Sequence, residues 1–169
     1  MIRFIQAKET GSDEMRLQDR VAIVTGAARG LGRAFCKVLS KEGAKIMAVD
    51  IADLGDTIEE IRSFGGTAKG LAADVSSEKE TFKMAEETLR AFGRMDILVN
   101  NAAIIYGLLR KPFFEIDPDV WDKVMAVNVK GPWLCTKAVF PHMKEQRKGK
   151  IINISSETFF TGSHGFAHY

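Results

Sequence analysis

Thr25, Gly26, Arg29, Gly30, Leu31 and Gly32 fall in one run, TGAARGLG, directly after the apolar residues 21–24. Glycines let a chain turn tightly and approach a ligand closely. A helix starting there offers unpaired N–H groups and the positive end of its dipole. That combination suits the pyrophosphate of a dinucleotide. The spacing is GxxxGxG and not the commoner GxGxxG, so the run alone is a moderate signal, and a plain connector remains the alternative. Asp50 closes the apolar residues 46–49, 18 residues beyond Gly32. A carboxylate there can accept hydrogen bonds from the adenosine ribose hydroxyls and would repel a 2′-phosphate. This favours NAD over NADP, although the Arg29 guanidinium, which can meet a phosphate, pulls the other way. Turn chemistry with Asp53 and Gly55 is the plainer account of Asp50.

Two further polar sites follow apolar runs. Asp74-Val75 can offer a carboxylate to the adenine amino group, or Asp74 can cap the next helix, a task open equally to Ser76 and Ser77. In that reading Lys79 and Glu80 are exposed residues of the first helical turn. Asn100-Asn101-Ala102-Ala103 brings two amides and two small side chains, suited to a turn beside a cofactor. Asn128 precedes Gly131-Pro132, and Pro132 has no N–H with which to pair the Asn128 carbonyl four residues back. A kink there would leave that carbonyl open to water; the alternative is a break between two helices with Asn128 as a cap.

These residues need a scaffold that brings strand ends together. Strands are predicted over 21–25, 45–50, 67–72, 97–100 and 150–155. Helices are predicted over 31–42, 53–64, 78–92 and a long region 118–145, the first with apolar Leu31, Ala34, Phe35, Val38 and Leu39. Gly43, Gly65-Gly66 and Gly93 mark three helix ends, where a left-handed backbone is easily adopted. Short apolar strands alternating with helices imply an α/β, doubly wound, Rossmann-like parallel sheet in the order 3-2-1-4-5.

Taken together, TGAARGLG, Asp50, Asp74-Val75, NNAA, Asn128 and INISS resemble the classical short-chain dehydrogenase/reductase family, in the family's order and over residues 17–169. Ala103 departs from the more usual Asn-Asn-Ala-Gly. The resemblance implies a nicotinamide cofactor held by Thr25, Gly26, Arg29, Gly30, Leu31, Gly32, Asp50, Asp74, Val75, Asn101, Ala102 and Ala103. It also implies Asn128, Ser156 and Tyr169 as catalytic residues, with the Asn128 carbonyl in a proton relay through water to a lysine. Tyr169 lies 13 residues beyond Ser156, the family's separation, which selects Ser156 over Ser155. The lysine expected four residues past Tyr169 and the family's last strands lie outside this sequence.

In the implied reaction a secondary alcohol and a ketone interconvert by hydride transfer, with Tyr169 as general acid/base in the complete enzyme. Free tyrosine titrates near pH ~10, so a lysine on its helix face would favour tyrosinate near neutrality. Should the polypeptide itself end at Tyr169, a non-catalytic nucleotide-binding or interaction fragment becomes the better reading. Ile105, Tyr106, Leu108, Phe159 and Phe160 suit an apolar or aromatic substrate; steroid, sugar alcohol, cyclic ketone and acyl-carrier substrates all stay open. Trp121, Trp133, Phe140 and Met143 give the long helical region bulky apolar faces, and the family's members are usually homodimers or homotetramers.

The bulk numbers fit this picture. The 169 residues are 46% hydrophobic, with 24 basic and 22 acidic side chains spread along the chain. One domain with a substantial core is expected, with no sign of a nucleic-acid-binding face. The basic stretch 144–150 reads as a solvated helix end. Cys36 and Cys135 sit among apolar neighbours as buried free thiols do. His164 and His168 read as solvent or substrate-loop residues, and no metal-ligand set is evident. Without a signal peptide or long apolar run, no membrane partner and a cytoplasmic location are expected. Residues 1–14 have no clear period and read as a flexible N-terminal extension before a domain over 15–169.

Overall fold

The computed structural model describes residues 15–169; the expectation for residues 1–14 lies outside them. Every side chain of β1 (Val21–Thr25) is buried, as expected of a central strand covered on both faces. β1 pairs in parallel with β2 (Lys45–Asp50) on one side and β4 (Ile97–Asn100) on the other. β3 (Ala68–Ala72) and β5 (Lys150–Asn153) complete a sheet in the predicted order, β3-β2-β1-β4-β5. The chain runs outward from β1 through β2 to β3 and then crosses to β4 on the other side of β1, so a crevice opens beyond the carboxyl ends of β1 and β4.

Strand alternation divides the core. Ala22, Val24, Ile46 and Ala48 face a layer formed by α1 (Gly30–Lys41) and α2 (Gly55–Ser63). Ile23, Met47, Val49 and Leu98 face the opposite layer, α3 (Glu78–Phe92) and α5 (Gly131–Glu145). Each buried Val, Ile, Leu or Met among them contributes about 1.5–3 kcal/mol by leaving water. Cys36 and Cys135 are buried in the two cores, and burial pushes both thiols up to about 12. Neither is a nucleophile near neutral pH.

Several boundaries differ from those predicted. α1 buries Gly32, Cys36 and Ser40 with Phe35 and Leu39 beside them, while Leu31 and Val38 of the predicted stripe are exposed. Gly32 must face the glycine turn closely, and this rotates the stripe outward. β5 ends two residues earlier than predicted, and its four residues are exposed. The long helical region is α4 (Pro118–Met125), a π-helical turn (Ala126–Lys130) and α5. The wide turn answers Pro132: Gly131 N–H donates to Ala126 O, five residues back. A 3-10 turn at Phe113–Glu115 and a short helix, α6 (Thr158–Thr161), carry no sequence period that would have revealed them. Gly43, Gly65 and Gly93 do adopt positive φ at the helix ends.

Asp96 fastens the amino ends of β1 and β4. Its backbone N–H donates to Val21 O at 2.9 Å, and its Oδ2 accepts Val21 N–H at 3.0 Å. Arg94 and Arg20 also reach its carboxylate, at 2.6 and 3.3 Å. Burial alone would raise this carboxyl, but the hydrogen bonds from Arg94, Val21 and Arg20 with the Arg94 charge outweigh it and hold it below the usual carboxylate range.

Candidate functional site

The glycine run forms the turn from β1 into α1. Gly26 and Gly30 hold positive φ, +66° and +57°. A Cβ on Gly26 would lie 2.8 Å from Ala102 Cα, and one on Gly32 would overlap Gly26 O. Only glycine fits these two positions, so the backbone itself shapes the cradle. Arg29 takes the cap position of α1 without capping it, and the first turn carries no acid. Its N–H groups therefore stay available to an anion.

The cradle is braced from below and behind. Thr25 is buried, and its Oγ1 accepts the N–H groups of Asn101 and Ala102 at 3.0 and 3.1 Å. Asn101 Nδ2 donates to Thr25 O and Gly26 O at 2.9 and 3.1 Å, fixing the turn from the β4 side. Thr57 Oγ1 on α2 donates to Ala27 O at 2.9 Å. Arg33 joins α1 to α2 through Glu60 (2.8 Å) and Asp56 (3.1 Å). The Lys37 and Arg33 hydrogen bonds hold the Glu60 carboxyl below its ordinary range.

Above the cradle is a cavity of about 620 Å³. Gly26, Arg29, Leu31 and Gly32 line it from the run; Asp50, Asp74 and Val75 line it from the ends of β2 and β3. Asn101, Ala102 and Ala103 supply the β4 side. Thr25 and Gly30 stand outside the lining, one beneath it and one at the turn. Asp50 Oδ2 accepts Ala28 N–H at 2.9 Å and Oδ1 accepts Ala52 N–H at 3.0 Å, so its carboxylate also orders the cradle. Ala103 needs no left-handed backbone: among the described residues only Asp19 and Arg147 do so without being glycine.

Asp74 is tied into a turn, its Oδ1 accepting Ser76 N–H at 2.8 Å, while Ser77 caps α3. Glu80, predicted as an exposed first-turn residue, is half-buried and accepts Asp74 N–H at 2.7 Å. It reaches past the cap to a backbone donor in the turn between β3 and α3. Ile51, Ile104 and Lys123 line the same cavity without a sequence signal of their own. Arg29 lies over the Tyr106 ring, 5.3 Å from its centroid.

Ser156 and Tyr169 line a second cavity of about 700 Å³, walled by Phe113, Phe114, Phe159 and Phe166. Ser155 borders it too. Ser156 Oγ donates to Thr158 Oγ1 at 2.9 Å and accepts Thr158 N–H at 3.2 Å, ordering the start of α6. Asn128 lines neither cavity. It sits in the π-helical turn, where its side chain pairs twice with Ile104: Oδ1 accepts the N–H at 2.8 Å and Nδ2 donates to the carbonyl at 3.1 Å. The sequence pointed to its carbonyl; the structure adds a task for its amide, holding the loop after β4. Of the substrate-side candidates, Ile105 and Tyr106 face the first cavity and Phe159 the second, while Leu108 and Phe160 face neither.

His168, read from the sequence as a solvent or substrate-loop residue, is not at the solvent. It is 2% exposed, packed beside Phe166, and its Nδ1 has no partner among the described residues. His164 is exposed and borders the second cavity.

A parallel sheet in this order, with a glycine turn at the strand-order reversal, defines a Rossmann-like α/β protein. A family model described as short chain dehydrogenase matches residues 20–169. An uncharacterized oxidoreductase of Thermotoga maritima is 40% identical over 151 residues, covering 88% of this chain and 58% of its own length. A crystal structure from Sinorhizobium meliloti 1021, assigned as a short-chain alcohol dehydrogenase, superposes with a TM-score of 0.86 at 30% identity, over 92% of this chain and 62% of that one. A metagenomic short-chain oxidoreductase in complex with NADP gives 0.77 at 39% identity, over 83% and 63%. The chain belongs to the classical short-chain dehydrogenase/reductase family, whose members are oxidoreductases using nicotinamide cofactors. It spans less than two thirds of the length of each of these three relatives.

Proposed function

We propose that the full-length protein interconverts a secondary alcohol and a ketone with NAD(H). The observation that carries this reading is the common cavity of Ser156 and Tyr169, walled by phenylalanines. When bound, the nicotinamide supplies or accepts the hydride. Tyr169 exchanges the proton at the substrate oxygen, and Ser156 holds that oxygen by a hydrogen bond. The rings of Phe113, Phe114 and Phe159 stand exposed at this cavity and offer an apolar or aromatic substrate a surface to cover. Asn128 steadies the loop at Ile104, and its carbonyl belongs to the proton path. Gly26, Arg29, Gly30, Leu31 and Gly32 hold the pyrophosphate, with Thr25 and Asn101 as braces. Asp74, Val75, Ala102 and Ala103 border the rest of the dinucleotide.

The preference for NAD rests on Asp50, whose carboxylate borders the cavity beside the cradle and repels a 2′-phosphate. The metagenomic relative is in complex with NADP, so family membership alone does not select NAD, and the preference rests on Asp50. No helix among the described residues is long and apolar enough to cross a membrane, and a cytoplasmic location goes with this reading.

The deciding measurement is NADH oxidation by the full-length protein against a panel of ketones. Tyr169→Phe should reduce turnover by about 10²–10⁴-fold. Undiminished turnover in that variant would remove Tyr169 from proton transfer. A homodimer or homotetramer is the proposed assembly, through the exposed Trp121, Trp133 and Phe140. Light scattering of the full-length Phe140→Glu variant should then show a lower mass than wild type, and an unchanged mass would place the contact elsewhere.

A further inference from the structure

We infer that Arg110 is a positioning residue for Tyr169, clasping the segment that carries the phenol against the loop after β4. The inference rests on the oxidoreductase reading of the same site. Arg110 Nη1 donates to His164 O at 2.8 Å. Its guanidinium also lies over the Phe166 ring, 4.5 Å from the centroid. Next in the chain, Lys111 N–H donates to Gly165 O at 3.0 Å. Gly165 adopts φ +80°, and a Cβ there would fall 2.9 Å from Arg110 Cβ. The two loops thus meet so closely that one of them must be bare of a side chain.

The contact reaches the phenol through one residue. Phe166 and Tyr169 stack edge to face with centroids 6.2 Å apart, and Tyr169 N–H donates to Phe166 O at 2.9 Å. Arg110 therefore fixes the ring against which Tyr169 rests, and it fixes the backbone two residues before that ring. A guanidinium suits both tasks, because its plane stacks on an aromatic face while its edge donates. Lysine keeps the charge and loses the flat face. Among the described residues no carboxylate pairs with Arg110, and the guanidinium meets the His164 carbonyl and the Phe166 ring. Proton transfer tolerates little displacement of the acid, so a loosened segment lowers turnover without touching the dinucleotide cradle.

The test uses the full-length protein with Arg110→Ala, Arg110→Lys and Gly165→Ala. Hydrogen exchange over residues 162–169 should quicken about fivefold in all three, with residues 21–32 unchanged. Turnover of a ketone should fall about fivefold with the NADH dissociation constant unaltered, and lysine should not rescue it. In a Tyr169→Phe background, Arg110→Ala should cause no further loss, because the two residues act through one group. Unchanged exchange over 162–169 in Arg110→Ala would overturn the clasp. Faster exchange with wild-type turnover, or full additivity with Tyr169→Phe, would overturn the positioning role. A wild-type protein that turns over neither ketones nor alcohols would defeat the oxidoreductase reading alone, and the exchange comparison would still decide whether Arg110 holds the segment.

Discussion

Asp50 carries two tasks at once, because the carboxylate expected to meet a ribose also accepts the N–H groups of Ala28 and Ala52. Removing it takes away a negative charge and two braces of the glycine turn. Asp50→Ala should weaken NADH binding and narrow the preference over NADPH by about tenfold, measured by calorimetric titration with each dinucleotide. An unchanged ratio would count against Asp50 as the discriminating group. The residues legible in the sequence are those whose constraint is local: a glycine that must turn, an acid that ends a strand. Thr57 and Arg110 were not legible, since each acts on a backbone group more than 20 residues away that only the fold brings near, and Ile104 was not, since its own backbone is held by the distant Asn128 amide.

At the scale of elements, the π-helical turn separates two kinds of sequence change. A wide turn holds five residues where an α-turn closes with four, and the helices on either side keep their faces. A variant lacking Val129, which is exposed, should still fold, at a cost of up to about 3 kcal/mol where the Pro132 ring meets a regular turn. A variant lacking Ala138, inside the regular part of α5, should not fold, because Val139 and Met143 would rotate by about 100° out of the core. Thermal unfolding followed by circular dichroism separates the two, and equal damage would show that the wide turn stores no spare residue. The sequence places strands β1, β2 and β4 and helix α3 at their observed limits because apolar runs and glycines bracket them tightly. It could register that Pro132 interrupts a helix, yet not that the interruption is absorbed as a wider turn. That outcome depends on the packing of Gly131 against Val75 and the pairing of Asn128 with Ile104.

Over the whole molecule, the sheet has one rim that holds it together and another that holds the site. Asp96 joins β1 to β4 at their amino ends, while the cradle and Asp50 stand at the carboxyl ends. Asp96→Ala leaves the buried Val21 N–H without its side-chain acceptor and should cost about 2–4 kcal/mol in denaturant unfolding. The NADH dissociation constant should stay at its wild-type value; a marked change would show the two rims to be coupled. The Asp96 carboxyl titrates below its unfolded range, so its contribution is complete above pH ~4 and is lost as pH falls through the lower folded value. Asp96→Asn should flatten that acid limb of the stability curve. With the rims independent, directed evolution for heat tolerance belongs at the amino-end rim around Asp96, scored by survival alone, and a search for a new substrate belongs at the carboxyl-end rim of the scaffold so hardened.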